Sequence, residues 1–306
     1  MRRFIQIITI GLTFSITPFL FAQQDAMFTQ YMFNEVTINP AYAGSHDVVS
    51  MTGLVRKQWV GMDGAPSTQS FNVHTPLRNN KIGLGLSIVN DKIAVSNNLT
   101  INAAGSYRID LGKSTHLQFG LQAGITNHKT DLGRLKVEDD SELVFAQGTV
   151  SKILPNIGGG LYFFTDKFYL GLSVPQLVNN TLSENGVSLA KQERHLFVTT
   201  GYVFTLNQNL KFKPTLFYKY VKGAPMQLDV TGSLIIKDKF WVGLAWRSFD
   251  SADFLLGFQA TEQLFLGYAF DYSLTSLNKY NTGSHELVVN YRFSFSKNKI
   301  LTPRYF

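Results

Sequence analysis

From about residue 48 onward, apolar and polar positions alternate with a period of two. Leu210, Phe212, Pro214, Leu216, Tyr218 and Tyr220 alternate with Lys211, Lys213, Thr215, Phe217 and Lys219. After Lys222-Gly223-Ala224-Pro225, the residues Leu228, Val230, Gly232, Leu234 and Ile236 alternate with Asp229, Thr231, Ser233 and Ile235. Lys237-Asp238-Lys239 turns the chain, and Phe240, Val242, Leu244 and Trp246 alternate with Trp241, Gly243, Ala245 and Arg247. A period of two means strands, with successive side chains on opposite faces. Connections this short exclude parallel crossovers, so the strands form antiparallel hairpins.

One face of each strand is apolar or aromatic, and the other is mixed. The segments run about 10 residues or more, the length a tilted strand needs to cross a bilayer. The apolar face therefore reads as facing lipid and the mixed face as lining a lumen. The pattern predicts 14 strands, near 48–58, 66–75, 81–90, 97–110, 115–128, 152–164, 167–174, 193–205, 209–221, 226–236, 238–248, 252–260, 262–272 and 284–295. The expected fold is all-β: a transmembrane antiparallel barrel over 48–296 with an N-terminal non-barrel segment.

The connections sort by length. With the first strand running outward, those after odd strands face outside and include 129–151, 175–192 and 273–283. Those after even strands are tight, such as Thr165-Asp166-Lys167 and Leu206-Asn207-Gln208. Long loops at one end and short turns at the other mark outer-membrane barrels.

The ends of the chain read differently. Arg2-Arg3, an apolar run from Phe4 to Phe21 and then Ala22 form a secretory signal over 1–22. Residues 23–47 do not alternate cleanly. Asn39-Pro40 and Gly44 mark bends, and Phe28, Tyr31, Phe33 and Tyr42 give the segment something to bury. A plug or periplasmic docking segment and a lead-in packed on the barrel wall are both open. Residues 297–306 form a C-terminal tail, taken as periplasmic.

Composition agrees with this picture. The chain has 306 residues, 25 Phe, 13 Tyr and 25 Gly, with aromatics suited to membrane interfaces and glycines to crowded or curved positions. The net charge is +7; without Arg2 and Arg3 it is +5. The basic residues are scattered, which argues against nucleic acid as a partner. There is no cysteine, so disulfides, thiolate metal sites and cysteine catalysis are excluded.

Little in the sequence suggests catalysis. His46, His74, His116, His128, His195 and His285 show no metal-ligand spacing, and no G-x-S-x-G elbow occurs. Gly158-Gly159-Gly160 lies inside a strand pattern without the Lys-Ser/Thr of a phosphate loop and reads as curvature. The chain is expected to be no enzyme, with no cofactor. The mixed faces are more informative. Arg56, Arg108, Lys211, Lys213, Asp229, Arg247, Asp271, Glu286 and Arg292 are candidate lumen charges, read as pairs that close the barrel or as determinants of solute selectivity.

Several blocks resemble one family. Gln30-Tyr31-Met32-Phe33-Asn34 followed by Ile38-Asn39-Pro40-Ala41-Tyr42-Ala43-Gly44 is similar to the N-terminal signature of the PorP/SprF family of the Bacteroidota type IX secretion and gliding apparatus. So are Arg56-Lys57-Gln58-Trp59-Val60-Gly61, Lys219-Tyr220-Val221-Lys222-Gly223-Ala224-Pro225, Phe240-Trp241-Val242-Gly243 with Trp246-Arg247, and the ending Pro303-Arg304-Tyr305-Phe306. Glu35 departs from the pattern, where a less charged residue is expected.

The resemblance implies a non-enzymatic outer-membrane barrel. It would bind periplasmic or lipoprotein subunits of the secretion machine, or anchor a large secreted adhesin. Tyr31, Phe33, Asn34, Asn39, Pro40, Tyr42 and Trp59 are its candidate plug or partner-binding residues. Asn39-Pro40-Ala41 also resembles the hatch motif of long-chain fatty-acid transporter barrels, so a channel for apolar solutes is the alternative.

Overall fold

A computed structural model describes residues 26–77, 80–134, 148–184 and 187–293. Seventeen strands follow one another: β1 (Val49–Lys57), β2 (Ser67–Pro76), β3 (Ile82–Ile93), β4 (Ser96–Asp110), β5 (His116–Asp131), β6 (Thr149–Phe164), β7 (Phe168–Val174), β8 (Thr181–Glu184), β9 (Val187–Lys191), β10 (His195–Tyr202), β11 (Phe204–Asn207), β12 (Leu210–Val221), β13 (Gln227–Ile236), β14 (Phe240–Arg247), β15 (Ser251–Gln259), β16 (Leu264–Ser273) and β17 (Ser284–Phe293).

Every described pairing is antiparallel, and all but three join neighbours in the chain. β1 pairs with β17, and β10 pairs with both β7 and β12. The sheet therefore has no free first or last strand. β10 and β11 are one barrel strand interrupted at Val203, and β8 and β9 form a separate hairpin within the connection 175–194. The result is a closed antiparallel barrel of 14 strands. Closure removes the exposed edges that would otherwise recruit other chains.

The alternation has its expected polarity. Leu84, Leu121, Ile153 and Leu244 point outward and are exposed in the isolated chain. Thr52, Asn72, Gln122, Thr231 and Asn290 point inward and are buried. Apolar outside and polar inside is the arrangement a barrel adopts in a bilayer. Tight turns gather at one end. At Lys237 and Asp238 both φ values are positive, at 51° and 55°, which is the turn that matches the twist of a two-residue hairpin. The longer connections 58–66, 132–148, 175–194 and 274–283 gather at the other end.

Several strand boundaries differ from the pattern-based expectation by a few residues. β5 and β6 extend to Asp131 and from Thr149, so their connection is shorter than 129–151. The strand expected at 193–205 breaks at Val203. The signal at 1–22 and the tail at 297–306 lie outside the described residues.

Candidate functional site

Residues 26–48 are not part of the barrel wall. They form a 3-10 turn (Tyr31–Phe33), a single helical turn (Glu35–Ile38) and a second 3-10 turn (Pro40–Tyr42). Asn39 sets up the last of these. Its side chain accepts from the Ala41 N–H at 3.0 Å, and Pro40 occupies the first helical position, where no N–H is needed.

These residues meet inward-facing groups from strands all round the barrel. Tyr31 Oη donates to Thr215 Oγ1 at 3.0 Å on β12. Asn34 Oδ1 accepts from Ser70 Oγ at 3.1 Å and Asn72 Nδ2 at 2.6 Å on β2. Asn39 Nδ2 donates to the Leu161 carbonyl at 2.9 Å on β6. The Ile38 carbonyl accepts from Ser173 Oγ at 2.8 Å on β7. Phe33 stacks on Phe265 of β16 with ring centroids 4.4 Å apart, and Tyr31 lies 4.9 Å from Phe217. A segment bonded to opposing walls of a closed barrel lies in its lumen.

The wall is shaped for it. A Cβ placed on Gly83 would lie 2.1 Å from the Ala43 carbonyl oxygen, and one on Gly120 would lie 2.2 Å from the Ala41 nitrogen. Gly160 and Gly267 similarly face the side chains of Asn39 and Gln30. Gly158 and Gly160, read above as curvature, give room for close approach by Pro175 and Asn39.

Charge pins both ends of the segment. At the mouth with the longer connections, Arg56 pairs with Asp271 at 2.7 Å and with Glu286 at 3.2 Å. Glu286 accepts from the backbone N–H groups of Thr29 at 2.9 Å and Gln30 at 2.7 Å. Arg247 pairs with Asp229 at 2.9 Å and donates to the Phe28 carbonyl at 3.2 Å. At the opposite mouth Arg108 binds Asp47 at 2.7 Å and the carbonyls of Gly44 and Ser45 at 3.0 and 3.1 Å. Buried charges are tolerated only when paired and hydrogen-bonded, and here the partners include the segment's own backbone.

The candidate plug residues and the candidate lumen charges are therefore largely one construction. Tyr31, Phe33, Asn34, Asn39, Pro40 and Tyr42 lie in the lumen, and Tyr42 Oη is 2.8 Å from His46 Nε2. Arg56, Arg108, Asp229, Arg247, Asp271 and Glu286 hold or surround them. Lys213 lies over the Trp241 and Tyr169 rings and is an electrostatic partner of buried Glu35. Lys211 lies at the tight-turn rim, paired with Asp238. Arg292, near the end of β17, donates from Nε to Asn290 at 2.8 Å. Trp59 lies apart, in the connection after β1, with its N–H donated to Ser284 Oγ at 3.1 Å. Thr29 was not singled out from sequence, and Gln30 stood there only as part of the family-like block. Their bonds to Asp271 and Glu286 reach more than 240 positions along the chain, which no local pattern reveals.

The family model for the type IX secretion system membrane protein PorP/SprF matches residues 20–291. The chain belongs to the PorP/SprF family. That match spans the lumen segment and nearly every barrel strand, and it makes this PorP/SprF chain an outer-membrane protein. No curated protein matches it.

Among solved structures, the CymD monoaromatic hydrocarbon channel is similar, with a TM-score of 0.50 and 9% identity over 87% of this chain and 94% of that one. The Acinetobacter baumannii outer membrane protein Omp33 gives 0.48 and 11% over 80% and 98%. A Pseudomonas aeruginosa FadL homologue gives 0.46 and 13% over 84% and 94%. At such identities the likeness to CymD concerns the barrel fold alone.

Proposed function

We propose that this PorP/SprF protein is a non-enzymatic docking barrel of the type IX secretion and gliding apparatus. It binds periplasmic or lipoprotein subunits of the machine, or anchors a large secreted adhesin. The observation that carries the reading is the family match over 20–291, together with a lumen occupied from mouth to mouth by residues 28–47. A filled lumen suits a platform better than a conduit, and leaves the two mouths and the outer wall as contact surfaces.

In this reading residues 1–22 are a cleaved export signal, lipid surrounds the apolar wall, the longer connections face outside, and the short turns and the 297–306 tail face the periplasm. Deletion of the gene tests the reading. Loss of surface display of type IX cargo is expected, and intact secretion and display of all such cargo overturns it. The second reading, a channel for apolar solutes, rests on the Asn39-Pro40-Ala41 resemblance. Uptake into reconstituted vesicles separates the two.

A further inference from the structure

The barrel wall is thin at one place. β6 pairs with β5 along its whole length, from Thr149↔Asp131 to Phe164↔His116. On its other side it pairs with β7 only from Gly159 to Phe164, because β7 ends at Val174. Among the described residues, Thr149 to Gly158 have no strand partner on that side. The chain beyond β7 covers this edge with two hydrogen bonds: the Leu177 N–H donates to the Ile157 carbonyl at 2.7 Å, and Asn180 Nδ2 donates to the Pro155 carbonyl at 3.1 Å.

The missing partner falls within the apolar belt. Outward positions remain apolar through Ile125 on β5 and through Ile157 and Ile153 on β6, all exposed, before Asn127 and Lys129 end the belt on β5.

Residues 174–177 separate two spaces of different character. Outside lies an open apolar depression in the wall, lined by Phe119, Leu121, Leu161, Leu172 and Leu177. Inside lies a cavity of about 120 Å³ at the longer-connection end of the lumen. Its lining is rich in carboxamides, among them Asn102, Gln122, Asn156 and Gln176, and contains no Lys or Arg. The Oε1 atoms of Gln122 and Gln176 are buried without a hydrogen-bond partner. Its floor includes Thr37 and Ile38 of the lumen segment, which block the way further down.

We propose that this is a binding site for a membrane amphiphile, entered sideways from the bilayer between β6 and residues 175–180. The acyl chain lies in the outer depression, and an uncharged, hydrogen-bonding head group reaches the carboxamides inside. A cavity near this volume accommodates a molecule about the size of benzene, enough for a glycerol-like head. An anionic head would find no cation in the lining. The lumen segment makes the site a dead end, for binding and not for passage.

The test uses the full mature chain in vesicles that contain a monoacylglycerol with a diazirine beside its ester. Photolysis is expected to label inward residues such as Gln122, Asn156 or Thr37. A variant, Pro155→Cys with Asn180→Cys, staples the covering segment to β6 in a chain that has no other cysteine. Oxidation is expected to abolish the inward labelling and reduction to restore it, with the heat-resistant gel mobility of the folded barrel unchanged. Labelling confined to outward residues such as Leu121 and Leu161, or inward labelling indifferent to the staple, overturns the proposal.

Discussion

Arg56 and Asp271 face each other inside the barrel at 2.7 Å, one on β1 and the other on β16, with β17 between them. Thr29 of the lumen segment bonds to both, donating its hydroxyl to Asp271 at 2.7 Å and accepting from Arg56 at 2.7 Å. The pair thus joins two strands of the wall to the segment they enclose. Both side chains are almost fully buried, so neither charge can fall back on water.

Arg56→Ala leaves Asp271 and Glu286 buried beside fewer positive charges. Breaking a buried pair from one side costs about 3–5 kcal/mol. The expected outcome is a lower midpoint for thermal loss of the compact barrel band on gels. Arg56→Gln combined with Asp271→Asn removes the charges together and is expected to cost less than the single change. Equal midpoints for Arg56→Ala and the unmodified chain contradict the assignment.

Gly120→Val places carbon where the backbone of Ala41 lies, whereas Gly105 has nothing within 4 Å of its own Cβ position. The first change is expected to displace the lumen segment and expose Tyr31 and Phe33 to chymotrypsin. The strand ladder itself persists, because position 120 keeps its backbone bonds. Gly105→Val is expected to leave cleavage unchanged. Resistance of the Gly120→Val segment argues against a tightly fitted socket.

Tyr31 and Thr215 form a buried hydrogen bond, and such a bond contributes about 1 kcal/mol. Tyr31→Phe and Thr215→Val are each expected to destabilise by that order. Their double variant is expected to cost less than the sum, since both remove one interaction. Strict additivity in urea unfolding separates the two residues.

Much of the wall was legible in the alternation. A period-two pattern with lysines and carboxamides on one face leaves a strand few options, and the tight turns fix the antiparallel order. The path of residues 26–48 was not legible. Its helical turns are too short for periodicity to register, and its bonds span the chain, as from Asn39 to Leu161. The charges carried a partial signal. Arg56, Arg247 and Glu286 stood out as inward, but pairing across the lumen and clamping of a segment leave the same sequence trace. The interruption at Val203 was also hidden, since Phe204 continues a locally apolar run.

Removing residues 26–47 is expected to open the barrel to ions. The full chain should show no steady current in planar bilayers, and the shortened chain ohmic steps. An intact chain that conducts as well as the shortened one contradicts a lumen closed by this segment.

The docking role itself is tested most directly by crosslinking in native outer membranes, pulling down this chain and identifying its partners by mass spectrometry. Recovery of a periplasmic or lipoprotein subunit of the type IX machine, or of one large secreted adhesin, is the predicted result. Recovery of neither, with the barrel captured intact, contradicts it.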